Sequence, residues 1–175
     1  MPTKISVNKI YNSHYSSSPL WNLFGGGARR IETSYNRSVK IMLDLPYATH
    51  RCLIEPLTGE RHVKVVLISR FLGFMEKIAC SEKKAVKMLM ETAKKDVRTI
   101  TGQNYRNIML LVGKTTVDEV KKVDAEKIEY FPINEADRWK VNVIKEIIEV
   151  KNKHLDIANF ELEELEEILT HLCTS

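Results

Sequence analysis

Apolar residues along this chain recur mostly at spacings of three and four, the repeat of helices packed on one side. Ile31, Tyr35, Val39 and Met42 stand four, four and three apart, so they share one face of a helix that must end before Pro46. Pro46 lacks an N–H and disfavours helical geometry at Leu45, so residues 47–56 are expected to turn the chain. Val63, Val66, Leu67, Phe71, Phe74 and Ile78 place a second helix over 62–78. A third is expected over 82–100, capped by Ser81, with Val86, Leu89, Met90, Ala93, Val97 and Ile100 as its core side. Thr101-Gly102 then breaks the pattern. Asn104 to Val112 reads as a short helix with Ile108, Met109, Leu111 and Val112 apolar, stopped by Gly113.

Further on, Thr116-Val117-Asp118-Glu119 has the spacing of a capping box. Asn134 can cap a helix over 135–150 that carries Trp139, Val143, Ile144, Ile147 and Ile148 inward. Asn159 can cap 160–173, with Phe160, Leu162, Leu165, Ile168, Leu169 and Leu172 on its apolar side. The fold class this predicts is all-α, an irregular bundle of about six to seven helices without a substantial sheet. The first 24 residues fit least well. Ile5, Val7 and Ile10 suit either a strand or a helix end, the serine-rich stretch after them a loop, and Leu20, Trp21, Leu23 and Phe24 an apolar anchor.

Charge adds a division that hydropathy does not show. The net charge of +4 conceals 19 Lys and Arg against 8 Asp and Glu up to Thr115, and 8 against 15 from Thr116 onward. Three regions follow: 1–24, a basic 25–115 and an acidic 116–175. The acidic end either packs on the basic body, competes with its ligand or faces a protein partner; ordinary solvated faces would also give this pattern. Arg29, Arg30, Arg37 and Lys40 fall within roughly a third of the circumference of their helix, opposite its apolar stripe. Lys84, Lys87, Lys94, Lys95 and Arg98 make a second basic side, interrupted among acids only by Glu91. Such rows suit phosphates, because each contact releases condensed counterions. Gly25-Gly26-Gly27 ahead of Arg29 reads as a phosphate-holding helix start or as a hinge. Arg70 lies inside the apolar arc of 62–78, which calls for an ion pair with Asp44 or Glu55, or contact with a nucleic-acid backbone.

Catalytic constellations are not evident. Gly113-Lys114-Thr115 fails as a phosphate loop because its first glycine would have to stand where Ile108 does. Neighbouring glutamates such as Glu163-Glu164 and Glu166-Glu167 diverge by about 100° on a helix and cannot share a metal. His50 with Cys52, and His171 with Cys173, lack further ligands nearby, so no metal or other cofactor is expected. Cys52, Cys80 and Cys173, odd in number and far apart, read as free thiols. Neither a secretory leader nor a membrane-length apolar run stands out, so a cytoplasmic or nuclear chain with no membrane partner is expected, and the sequon at Asn36 is silent.

Several motifs in order carry a resemblance. Tyr35-Asn36-Arg37-Ser38-Val39-Lys40, Leu45-Pro46, Thr49-His50-Arg51, Arg61-His62-Val63-Lys64, Arg70-Phe71-Leu72, Asp96-Val97-Arg98 and Thr101-Gly102-Gln103-Asn104-Tyr105-Arg106-Asn107-Ile108 together resemble the segment after the palm in reverse transcriptases of jockey-type non-LTR retrotransposons. The likeness covers most of the chain, with Tyr35 where much of that family has Trp. It implies that 1–24 is the tail of the palm, 25–115 the thumb and 116–175 the helical region beyond. With Met1 as the start the palm is missing, and the family's aromatic-x-Asp-Asp signature is absent, so an inert fragment is expected. Arg29, Arg30, Arg37, Lys40 and Arg51 would then touch the phosphate backbone of an RNA–DNA hybrid or RNA without reading bases. The rival expectation is a helical module that binds protein through its apolar N-terminal segment or its acidic last helix, or a transposon remnant with no nucleic-acid role.

Overall fold

The computed structural model describes residues 17–128, 134–153 and 159–174. The expectations for Ile5, Val7 and Ile10, and for the side chains of Phe160 and Leu162, lie outside them. The described residues form eight α-helices and no strand: α1 Gly26–Met42, α2 Ile54–Thr58, α3 Val63–Ala79, α4 Lys84–Lys95, α5 Ile100–Leu111, α6 Lys122–Ala125, α7 Arg138–Lys153 and α8 Asn159–Thr174. The fold is all-α. Two compact units share the chain, one from 1–32 with 61–130 and the other from 33–60 with 131–175.

The first unit is built on α3. Its run Val65-Val66-Leu67-Ile68, followed by Phe71, Leu72 and Met75, leaves little polar surface, so burial extends over most of its circumference. Leu67, Ile68, Phe71, Leu72 and Met75 close on Leu23, Tyr105, Ile108, Val120 and Ala125. The Phe71 and Tyr105 rings meet edge to face with centroids 5.2 Å apart. Each such side chain contributes on the order of 1.5–3 kcal/mol on burial. Lys64 is buried too, its ammonium 4.6 Å from the Phe24 ring centroid. Arg70 is half-buried rather than enclosed in the core. The apolar anchor ahead of α1 divides: Leu23 is fully buried, Trp21 and Phe24 half-buried, and Leu20 open to solvent. Asn104 fixes it by accepting the Leu23 N–H at 3.0 Å and donating to the Trp21 carbonyl at 2.8 Å.

The largest departure from expectation lies between Ser81 and Gly113. The helix expected over 82–100 ends at Lys95, and the break falls at 96–99. Thr99 makes that break. Its hydroxyl donates to the carbonyls of Ala93 at 2.6 Å and Asp96 at 2.8 Å, and accepts the Gly102 N–H at 2.9 Å as the cap of α5. Gly102 is therefore inside a helix, not a breaker. A Cβ on it would lie 2.1 Å from the Asp96 carbonyl oxygen. Ser81 caps nothing in α4, whose N-cap is Lys83, and its hydroxyl only accepts the Lys83 N–H. None of the α4 residues is fully buried, and Val86, Leu89, Val97 and Ile100 are exposed instead of forming a core side. The half-buried members of α4 are Met90, Ala93 and Lys94, so its inward side is centred near Met90 and Leu89 points away.

Gly113 does stop α5. It sits at φ +66°, with its own N–H on Leu110 and the Lys114 N–H on Met109. Thr116 does not head a capping box; 117–119 is one 3₁₀ turn, and Thr115 bonds Glu119 instead. Five residues on, the Lys121 N–H donates to Asp124 at 2.9 Å and the Lys122 N–H to Glu76 at 2.7 Å, carboxylates at the positive start of α6.

In the second unit, Leu45, Leu53, Val141, Ile144, Ile147, Leu169, Leu172 and Cys173 make the core. In helix α1, Tyr35 and Val39 are both buried, whereas Met42 is exposed. The reason is the turn that ends α1: Asp44 adopts φ +50°, its N–H bonds Ile41 and the Leu45 N–H reaches back to Lys40. That reversal turns Leu45 into the core in place of Met42. The helix thus ends at Met42, four residues before Pro46. The elbow is mostly helical, with a 3₁₀ turn over Arg51–Leu53 running into α2, and the His50 N–H donates to the Cys173 carbonyl at 2.9 Å. In α7, Ile144 and Ile147 point inward as expected, while Trp139 is exposed; in α8, Leu169 and Leu172 are buried and Ile168 is exposed. Asn36 is buried, so its sequon cannot accept a glycan in the folded chain.

Candidate nucleic-acid interface

The ten basic positions singled out by sequence separate into two groups. Arg29, Arg30, Lys84, Lys87, Lys94, Lys95 and Arg98 belong to the first unit, and Arg37, Lys40 and Arg51 to the second. Arg29 and Arg30 are exposed in the first turn and a half of α1. On α4, Lys84, Lys87 and Lys95 are all exposed and, at about 100° per residue, span roughly 80° of the helix. Glu91 lies within the same arc, so the row carries one acid.

Two members of the second basic side are engaged. Lys94 is half-buried, its ammonium 2.9 Å from Asp118 and 5.1 Å from the Tyr105 ring centroid. The hydrogen bond from Lys94 holds the Asp118 carboxyl below its ordinary range. This lysine ties α4 to the rest of its unit and is poorly placed for a phosphate. Arg98 lies past the end of α4 and grips Asp96 with Nε and Nη2, each at 3.0 Å. That bond lowers the Asp96 carboxyl and raises the guanidinium, so Arg98 keeps its charge but offers it already shared.

Within the second unit Arg37 and Arg51 are exposed, while Lys40 is half-buried and donates to the Tyr47 carbonyl at 2.7 Å. Burial, and then the nearby charge of Arg51, pull the Lys40 ammonium below its usual range. Lys40 and Arg51 therefore come together. Between 40 and 51 the turn also presents Tyr47, 81% exposed with Lys40 Nζ 5.7 Å from its ring centroid. Sequence reasoning passed over Tyr47 because a lone tyrosine in a turn has no periodicity; its place after Pro46, where the chain must leave the helix, was the available signal. An exposed ring beside cations is the pairing on which unstacked bases rest.

The acidic end behaves in part as a packed element. Leu165, Leu169 and Leu172 hold α8 on its core, and Glu166 joins Asp44 around Lys151, whose ammonium lies 2.6 Å from Asp44 and 3.3 Å from Glu166. Burial opposes the charge on Lys151, yet these two carboxylates outweigh it and raise the ammonium above its ordinary range. Among the described residues, no group of three or more His, Cys, Asp or Glu side chains is arranged to hold a metal, and no helix is long and apolar enough to cross a membrane. Cys52, Cys80 and Cys173 are free. Comparison with family models, with curated proteins and with solved structures finds no match to the chain.

Proposed function

We propose that this chain is a thumb-like helical region related to the reverse transcriptases of jockey-type non-LTR retrotransposons, and that it grips the phosphate backbone of an RNA–DNA hybrid without catalysing a reaction. The observation that carries this reading is the solvent exposure of the α4 row Lys84, Lys87 and Lys95, on a helix without a fully buried residue. Arg29, Arg30 and Arg37 support it as exposed cations on one side of α1. A row whose job was solubility would be served better by mixed signs. Its role is to hold the duplex, and the ordered motifs from Tyr35 to Ile108 suggest which kind of duplex. Lys94, Lys40 and Arg98 contribute less than the sequence suggests, since each already serves another group.

The test is a fluorescence titration of the full chain against a labelled RNA–DNA hybrid at several salt concentrations, beside a variant with Lys84, Lys87 and Lys95 changed to Glu. Binding should weaken steeply with salt, each phosphate contact adding about 0.9 to the log–log slope. The variant should lower both affinity and slope. A folded chain that ignores the hybrid at low salt sinks the proposal.

A further inference from the structure

We infer that the outer side of α4 is a docking groove for an amphipathic helix from another protein, apolar along its contact stripe and acidic on its flanks. This goes beyond the duplex-gripping reading: it shares the lysines of α4 as a border but rests on the apolar side chains between them. The groove is shallow, with Ala85, Met88, Leu89 and Thr92 along one wall and Asp96 and Thr99 of the following turn along the other. Met88 is 64% exposed and Leu89 76%. Both lie on the part of α4 that its own unit leaves open, since the inward side is centred on Met90. An exposed stripe with residues at i, i+3, i+4 and i+7 is the shape that receives a helix. Ala85, as a small residue, lets a partner backbone approach closely.

Charge decides what the occupant is. Lys84, Lys87 and Lys95 border the stripe, so acidic flanks complement it. A second copy docked groove to groove would set these cations against one another. Helix α8 has the acidic flanks, but Leu169 and Leu172 are committed to its own core, so it has no stripe to offer. A separate acidic amphipathic helix meets neither objection, and vesicles in the test below decide against a lipid surface.

The test uses the full chain and a labelled synthetic helix with Leu at alternating three- and four-residue spacings and Glu elsewhere, followed by fluorescence anisotropy. Its Glu-to-Lys counterpart and vesicles containing phosphatidylserine run alongside. Leu89→Ser, at an exposed position, keeps the fold, which circular dichroism verifies. The acidic helix should bind, the basic counterpart should not, and Leu89→Ser should weaken binding about tenfold while leaving the hybrid titration unchanged. Binding of both peptides alike, or of neither, overturns the inference. So does Leu89-dependent binding to vesicles in place of the peptide, or a Leu89-dependent dimer in sedimentation.

Discussion

Asn104 holds Leu23 by a 3.0 Å hydrogen bond that spans 81 residues of sequence, and it is itself fully buried. The amide works as both acceptor and donor, because its Nδ2 also serves the Trp21 carbonyl. Asn104→Ala leaves a buried N–H and a carbonyl unsatisfied and should cost about 3 kcal/mol in urea unfolding. Asn104→Asp keeps the acceptor for Leu23 but sets an oxygen against the Trp21 carbonyl, so it should also destabilise. A loss below the error of the measurement in both variants would show that the segment before α1 is held by Leu23 packing alone.

Gly102 is required by space rather than by backbone angle. An added Cβ would meet the carbonyl oxygens of Asp96 and Ala93 at 2.1 and 3.0 Å, both of them backbone atoms that cannot swing aside. Gly102→Ala should therefore force the 96–99 turn open and destabilise by about 2–3 kcal/mol, although Ala is the better helix former. Loss of the Thr99 cap in amide exchange would accompany it.

Tyr105 should ionise late in an alkaline titration. Burial, then the charges of Glu91, Glu76 and Asp118, push its hydroxyl up to about 12. Because the folded value lies above the unfolded one, the neutral ring stabilises fully below about pH 10. That contribution is lost as pH rises toward 12. Tyrosinate absorbance followed during alkaline titration should show a late step absent from Tyr105→Phe, and Asp118→Asn should bring the step to lower pH.

The three thiols should react in order of access. Cys80 is exposed, Cys52 half-buried and Cys173 buried, and burial also pushes the Cys173 thiol up, against a smaller lowering by Thr49. A thiol reagent in native buffer should modify Cys80 first and Cys173 only when the second unit opens. Early labelling of Cys173 at neutral pH would contradict the packing of α8.

The helices themselves were legible in the sequence wherever one apolar face faces one core. Val63, Leu67 and Phe71 at the expected spacing became the spine of α3, and Ile144 with Ile147 did the same for α7. Periodicity alone misplaced Val97 and Ile100, because a wheel drawn past the true end of a helix keeps assigning faces to residues that have already turned away. The turn at Asp44 is set by one residue at positive φ, and the break at Thr99 by three hydrogen bonds of one hydroxyl; neither leaves a hydropathy signal. The basic rows were visible as charges. Whether a cation points to solvent or grips a neighbour, as Lys94 grips Asp118, depends on residues distant in sequence.

The bond from His50 to Cys173 has a bearing on synthesis. A core that joins residues 45 and 53 to residues 169–173 cannot close until α8 has been made, so the second unit assembles only after that helix has emerged from the ribosome. Leu45, Leu53, Val141 and Ile144 stay uncovered until then, and a nascent chain stalled before α8 should be a better chaperone client than the finished one.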